Sequence, residues 1–382
     1  MLNYLLSNMN DIFEYNIFYA VTFRSAAAFF SSLIICFLIG PKIIRKLQVL
    51  QIGEVIHSDG PASHQKKQGT PTMGGIIIIV AIILPTFLWA DLENNFIMIV
   101  LLSTFWMGAI GFIDDYLKVV KNFSKGLIAR YKIISQIILG VIIAGMIYVW
   151  VEMPLIFHDN IDGSNTEELI SLESISLPFL SNGYLELNTI FYVMLIVLVI
   201  TASSNAVNLT DGLDGLAIGL LAISLLSFAG IAYASGRTDF SDYLNIIYIK
   251  DASELTIYCM SGVGACLGFL WFNSNPAAVF MGDTGSLSLG ASLGVLSILL
   301  KKEILLILIG GLFVAEALSV IMQVSYFKYT RYRYGTGRKL LLMAPLHHHF
   351  ELKGWEENHI VIRFWIIGIV LALLSLTTFK IQ

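Results

Sequence analysis

The sequence predicts an all-α integral membrane protein: ten transmembrane helices, a cleft at the cytoplasmic face and a small exterior hairpin, in one polytopic domain over residues 1–382. Three observations predict it. Hydrophobic residues make up 57% of the chain and charged residues 13%, with a mean hydropathy of +0.78; a soluble domain carries about 25% charged residues. Apolar runs near the length that crosses a bilayer, about 20 residues, recur along the whole chain. Charged residues are sorted between alternate connecting loops. The net charge of −4 implies no nucleic-acid partner.

The runs are Tyr19–Ile44, Met73–Trp89, Phe96–Ile113, Ile133–Val151, Thr189–Val207, Leu213–Tyr233, Leu255–Phe272, Gly285–Leu300, Ile304–Phe327 and His359–Phe379. Hydrocarbon offers the backbone no water, so each run must satisfy its own hydrogen bonds and reads as a helix. Gly285–Leu300 is the weakest, being short and rich in Ser and Gly. The first loop holds Lys42, Arg45, Lys46, Lys66 and Lys67, and the third Lys118, Lys121, Lys125, Arg130 and Lys132. The ninth holds Lys328, Arg331, Arg333, Arg338, Lys339 and Lys353. The fourth, Glu152–Asn188, is acidic and has no Lys or Arg. Positive loops stay inside, so the odd loops are expected in the cytoplasm and both termini outside. Lys301 and Lys302, in the eighth loop, run against that rule. Alternation through Ser174-Ile175-Ser176-Leu177 and the Asn182-Gly183 pair predict the exterior hairpin. The first eighteen residues carry Asp11 and Glu14 but no basic residue, unlike a cleavable signal peptide. Cys36, Cys259 and Cys266 lie within apolar runs and read as small buried hydrophobes.

The unusual polar clusters all fall in odd loops, which suggests one site at the cytoplasmic face. They run from His64 to Gly75, from Gly111 to Lys118, from Asn205 to Gly215, from Asn273 to Ser286 and from Ala344 to Glu351. Asp283 sits between Gly282 and Gly285, which let the backbone approach a ligand, and supplies a hard oxygen of the kind Mg²⁺ prefers. A plain turn would use the same residues. Asp114 and Asp115 end a helix and point about 100° apart, so one is expected to face the site while the other caps, pairs with Lys118 or meets water. Asp211 and Asp214 are spaced to share a helical face, although Asp211 alone would serve as a helix N-cap. Acids entering from three helices can hold a divalent cation and leave a carboxylate for base or nucleophile work. Lys66, Lys67, Lys118 and Lys121 flank these acids, and the mixture suits a metal-bound phosphate or diphosphate. Contact with lipid headgroups explains Lys125, Arg130, Arg331 and Arg333 better. His347-His348-His349 has no cysteines nearby, and adjacent histidines do not readily share a zinc ion; contact with a phosphate or sugar, or proton transfer, fits them better. Glu316, with Gln323 two turns later, lies inside the ninth run and stays outside the catalytic set.

In combination these motifs resemble the phospho-N-acetylmuramoyl-pentapeptide transferase family, a branch of the polyprenyl-phosphate N-acetylhexosamine-1-phosphate transferases. Lys67 with Pro71-Thr72-Met73-Gly74-Gly75, Asp114-Asp115, Asn208 through Asp214, Phe280 through Ser286 and Pro345 through Glu351 carry the resemblance, which covers nearly the whole chain. The Ala344–Glu351 stretch resembles the muramoyl-pentapeptide branch, not the N-acetylglucosamine one. The resemblance implies Mg²⁺-dependent transfer of phospho-MurNAc-pentapeptide from UDP-MurNAc-pentapeptide to undecaprenyl phosphate. That reaction releases UMP and forms lipid I, a peptidoglycan precursor, at the bacterial inner membrane, often in a homodimer. Residue by residue, Asp283 resembles the Mg²⁺ ligand, and Asp114 and Asp115 the acids that activate the polyprenyl phosphate. Lys67, Gly212, Leu213, Asp214, Asn273 and Phe280 resemble the nucleoside pocket, with Phe280 stacking on uracil. His347 and His348 resemble substrate-contacting or catalytic groups. Thr72, Lys118, Asn208, Asp211 and His349 complete the expected substrate-binding set. Direct attack and an aspartyl-phosphoryl intermediate both stay open. The rival readings are a same-fold transferase using UDP-N-acetylglucosamine, an ion-coupled transporter and a structural scaffold.

Overall fold

The computed structural model describes residues 17–50, 69–121, 123, 126–151, 155–159, 166–177 and 184–380. Lys67, Lys66 and the Asn182-Gly183 turn lie outside the described residues. The described chain is mostly helical. Its helices are α1 (Val21–Val49), α2 (Gly75–Trp89), α3 (Asn95–Val119), α4 (Ala129–Trp150), α5 (Thr189–Thr210), α6 (Leu216–Ser235) and α7 (Thr238–Leu244). They continue with α8 (Leu255–Asn273), α9 (Gly282–Leu299), α10 (Glu303–Ile309), α11 (Gly311–Tyr334), α12 (Leu346–Leu352) and α13 (Glu357–Thr377). Among the described residues, 8 helices are long and apolar enough to cross a membrane, and α2 is a shorter apolar helix.

Helix starts follow local chemistry. The Asn94 side chain accepts hydrogen bonds from the Phe96 and Ile97 amides at 2.9 and 3.3 Å and opens α3. Asn188 does the same for Ile190 at 3.0 Å and opens α5. The ninth run is not one helix: it breaks at Gly310 into α10 and α11. Beyond Phe327, α11 continues to Tyr334 and carries Lys328, Arg331 and Arg333 on an exposed helical extension.

The weakest run in the sequence is the centre of the bundle. Every residue of α9 from Thr284 to Leu299 is buried, and the helix packs on α2, α3 and α5. A helix that never meets lipid needs no apolar surface, and small residues let its neighbours come close. A Cβ at Gly75 would collide with the Gly285 backbone, and one at Gly111 with the Asp283 carbonyl. The serines of α9 are paired: Ser288 donates to the Thr104 carbonyl at 2.7 Å, and Ser292 lies 2.9 Å from the Thr104 hydroxyl.

Two small sheets lie at the other end of the bundle. Strand β3 (Ser174–Ser176) pairs antiparallel with β4 (Tyr184–Glu186), with Ser174 opposite Glu186, which is the expected hairpin. A second sheet, which the sequence did not reveal, has the order β2-β1-β5, from β1 (Leu155–Asp159), β2 (Thr166–Ile170) and β5 (Tyr248–Ile249). Its last strand arrives from a distant loop, and two residues are too few to show alternation. Lys301 and Lys302 tie the hairpin region to the bundle. The Lys301 ammonium donates to the Leu172 carbonyl and, at 2.6 Å, to the Tyr192 hydroxyl. Lys302 donates to Ser176 Oγ at 3.2 Å, and burial pushes its pKa down to about 8. Buried structural lysines explain the two exceptions to the loop-charge pattern.

Candidate functional site

Four helix ends converge opposite the sheets. The last turns of α3 and α5 meet the first turns of α4 and α9, and each brings a polar side chain. Asp114 and Asp115 come from α3, Lys132 from α4, Asn208 from α5 and Asp283 from α9. Ligand oxygens of Asp114, Asp115 and Asp283 all lie within 4.8 Å of one another, which makes a group that could hold a metal ion. Among the described residues this is the group of that kind.

The two neighbouring aspartates have different partners. Asp114 is fully buried. Its Oδ2 lies 2.5 Å from the Lys118 ammonium and 2.7 Å from that of Lys132. Its Oδ1 accepts from the Leu127 amide at 2.5 Å. Both ammoniums also reach Asp283 Oδ2, at 3.0 Å from Lys118 and 2.6 Å from Lys132. Asp115 instead faces the start of α9. It accepts from the Asp283 amide at 3.1 Å, the Thr284 amide at 2.9 Å and the Thr284 hydroxyl at 2.6 Å. A carboxylate at a helix N-terminus satisfies orphan donors and meets the positive end of the helix dipole. Asp115 therefore holds the helix that presents Asp283. Asn208 steadies the other oxygen of that carboxylate, donating to Asp283 Oδ1 and to Ser286 Oγ, both at 2.8 Å.

A second set of contacts joins the remaining motifs. Residues 71–75 pair with 280–281 through the backbone: Phe280 N–H to Pro71, Gly74 N–H to Phe280 and Gly75 N–H to Met281, each at 2.8 Å. This places buried Thr72 and half-buried Phe280 next to Asp283 in the chain fold. Asn273 is buried with both ends of its amide used. It accepts from the Gly215 amide at 3.0 Å and donates to the Val279 carbonyl at 2.9 Å. The site adjoins a further wall: a Cβ at Gly212 would collide with His347 Nε2.

A glycosyl transferase family 4 model matches residues 97–301. The phospho-N-acetylmuramoyl-pentapeptide-transferase signature 1 matches residues 67–79. Curated phospho-N-acetylmuramoyl-pentapeptide-transferases are similar end to end. That of Chloroherpeton thalassium is 49% identical over 385 residues, covering 100% of each chain. Those of Citrifermentans bemidjiense and Desulforapulum autotrophicum are 48% and 47% identical, again over 100% of each chain. The chain belongs to the phospho-N-acetylmuramoyl-pentapeptide transferase family.

Several family motif residues sit differently from the sequence expectation. Asp211 and Asp214 do not share a helical face. Asp211 closes α5, Gly215 with φ +80° is the N-cap of α6, and Asp214 lies in the turn between them. Gly215, at positive φ, lets the chain turn there. Neither acid belongs to the metal-competent group, and Asp211 is not the N-cap of the sixth span. Buried Asp214 accepts from the Asn275 side chain at 3.2 Å and from the Ala277 amide at 3.1 Å, so it fastens two loops; Leu213 is buried beside it. The three histidines of this family motif diverge. His347 turns to Glu316, His348 Nδ1 lies 2.7 Å from Glu351, and His349 Nδ1 accepts from the Leu342 amide at 3.1 Å. Among the described residues they form no group of three ligands that could hold a metal ion.

Three residues outside the expected set contribute. Lys132 bridges two of the acids. Glu357, at the start of α13, accepts from the Asp214 amide at 2.8 Å and the Asn275 amide group at 3.0 Å. Glu316 receives the first turn of the histidine helix. Lys132 carried a legible signal: a lysine in the first turn of a helix lies at the unfavourable end of the dipole, which points to a partner elsewhere.

Proposed function

We propose that the chain transfers phospho-MurNAc-pentapeptide from UDP-MurNAc-pentapeptide to undecaprenyl phosphate, releasing UMP and forming lipid I. The observation that carries this reading is the convergence of Asp114, Asp115 and Asp283 with Lys118 and Lys132 at one end of the bundle. Joining two anionic phosphates requires concentrated positive charge, and a buried acid group with lysines on its rim suits that task. The family name of the full-length relatives supplies the substrate class.

Three carboxylates within reach of one another, with hard oxygen donors, fit Mg²⁺. Asp283 would hold the ion, with Asp115 fixing the helix that presents it. Bound there, Mg²⁺ would neutralise phosphoryl oxygens and orient the diphosphate. Lys118 and Lys132, now shared between Asp114 and Asp283, are the ammoniums that substrate phosphates would draw toward themselves. Asp114, relieved of those partners, would then accept the acceptor phosphate's proton. Phe280, Gly212, Leu213, Asp214 and Asn273 would form the nucleoside pocket with Lys67 and Thr72. His347, His348 and His349 would line the sugar side, with Asp211 and Asn208 between the two regions.

The finer architecture belongs to the same proposal. Ten crossings result if α2 and α9 span the membrane alongside the 8 long helices. The acid group then faces the cytoplasm, both termini lie outside, and the chain works as one domain in the inner membrane, as a homodimer. The test is UMP release by the purified protein with undecaprenyl phosphate, UDP-MurNAc-pentapeptide and Mg²⁺. Asp283→Asn is expected to abolish that release; unchanged turnover in the Asp283→Asn variant would overturn the assignment of Asp283.

A further inference from the structure

Glu316 is an acid inside α11, one of the 8 membrane-length helices, and it is fully buried. A carboxylate in that setting must be paired. Among the described residues, its ion-pair geometry is with His347, whose Nδ1 lies 3.2 Å from Glu316 Oε1. The same carboxylate accepts from the Leu346 amide at 2.6 Å and the His347 amide at 3.2 Å. One side chain thus closes the start of α12 and grips the imidazole that α12 carries.

The other ring nitrogen points elsewhere. His347 Nε2 is buried and has no hydrogen-bond partner, and it lies against the Cα of Gly212, where a Cβ would collide with it. A buried polar atom without a partner is costly unless a ligand completes it. The Glu316 carboxylate already accepts from two backbone N–H groups, and as an acceptor toward the ring it takes its hydrogen bond from Nδ1–H. That leaves Nε2 with the lone pair, turned toward the 211–215 turn. The glycine at 212 leaves room for this approach.

We propose that Glu316 is a positioning residue that fixes the ring and tautomer of His347, so that Nε2 accepts from a hydroxyl of the nucleotide-sugar substrate. This rests on the transferase function proposed above. The geometry parallels a histidine oriented by a carboxylate on its far nitrogen, in which the carboxylate acts without touching substrate. Glutamine keeps one acceptor oxygen, best placed at the Oε1 position where it serves both the His347 amide and the ring, while its NH₂ confronts the Leu346 N–H. What it loses is the negative charge that stabilises the ring when Nε2 takes a proton from substrate.

The experiment compares full-length wild type, Glu316→Gln, His347→Gln and the double variant in detergent, assayed for UMP release with UDP-MurNAc-pentapeptide, undecaprenyl phosphate and Mg²⁺. Glu316→Gln is expected to lower kcat by at least about tenfold, within the range of positioned acid–base groups, while KM for the nucleotide sugar changes little. The double variant is expected to be no slower than His347→Gln alone. Wild-type kcat in Glu316→Gln, or a double variant that multiplies the two single losses, overturns the proposal. Nitrogen-15 spectra of wild-type protein with labelled histidine, with the His347 signals assigned through His347→Gln, give a check that does not depend on the folding of any Glu316 variant. A protonated Nδ1 supports the proposal and a bare Nδ1 overturns it. Wild type that releases no UMP removes the transferase reading and this inference with it, whereas an active wild type with an indifferent Glu316 removes the inference alone.

Discussion

Replacing Asp115 by asparagine separates anchoring from chemistry at the acid group. The Asp115 carboxylate receives three donors, with Oδ1 taking the Asp283 amide and Oδ2 taking the Thr284 amide and hydroxyl. Asparagine keeps one oxygen, and the better placement leaves it at the Oδ2 position, serving both Thr284 donors. Its NH₂ group then confronts the Asp283 N–H, donor against donor. Leaving one buried backbone donor unpaired costs about 1–3 kcal/mol. The expected loss is therefore about 1–3 kcal/mol, read as a lower unfolding midpoint in detergent. Because the shift occurs at Asp283, the Mg²⁺ concentration for half-maximal turnover should rise as well. An Asp115→Asn protein as stable as the parent, with the parent's Mg²⁺ requirement, would refute the anchoring role.

Three other outcomes follow from particular contacts. Lys132→Gln removes an ammonium from both Asp114 and Asp283, so turnover should fall by about 10²-fold, as when one preorganised donor is lost, while the Mg²⁺ requirement falls because a competing cation is gone; a raised Mg²⁺ requirement would contradict this. Asn273→Ala leaves the Gly215 amide and the Val279 carbonyl unpaired in a buried position; unfolding measurements should show a loss of about 2–4 kcal/mol, with a higher KM for the nucleotide sugar. Lys302 has a folded pKa of about 8 against an ordinary 10.5. Between those values the unfolded chain binds more protons, so this residue makes stability rise with pH across that window, by up to about 3 kcal/mol; buried Lys301 is lowered over the same range, so Lys302→Met should reduce the rise between those limits without abolishing it.

The sequence was most informative where one residue type had one physical reason to be present. Membrane-length apolar runs, each of which falls on one or two helices, needed only length and hydropathy. The hairpin at Ser174–Ser176 was legible from alternation, and Asp114, Asp115 and Asp283 from acids at helix ends. What escaped depended on who the neighbour would be. Nothing local told that Asp115 would cap a helix 168 residues later in the chain. Helix α9 looked marginal because hydropathy measures contact with lipid, and α9 contacts only protein. Asp211 and Asp214 suited a helix by spacing, but Gly215 after them, at positive φ, opens a turn. Glu316 read as an isolated intramembrane acid because its partner, His347, comes from another segment 31 residues on.

The proposed function has this acid group transferring a phospho-muramoyl-pentapeptide and not another phospho-sugar. Purified protein given undecaprenyl phosphate and Mg²⁺, with UDP-MurNAc-pentapeptide in one reaction and UDP-N-acetylglucosamine in another, decides between them through UMP and the mass of the lipid product. UMP and a muramoyl-pentapeptide lipid are expected in the first reaction and neither in the second. UMP release only with UDP-N-acetylglucosamine, or with neither donor from folded protein, would contradict the proposed function.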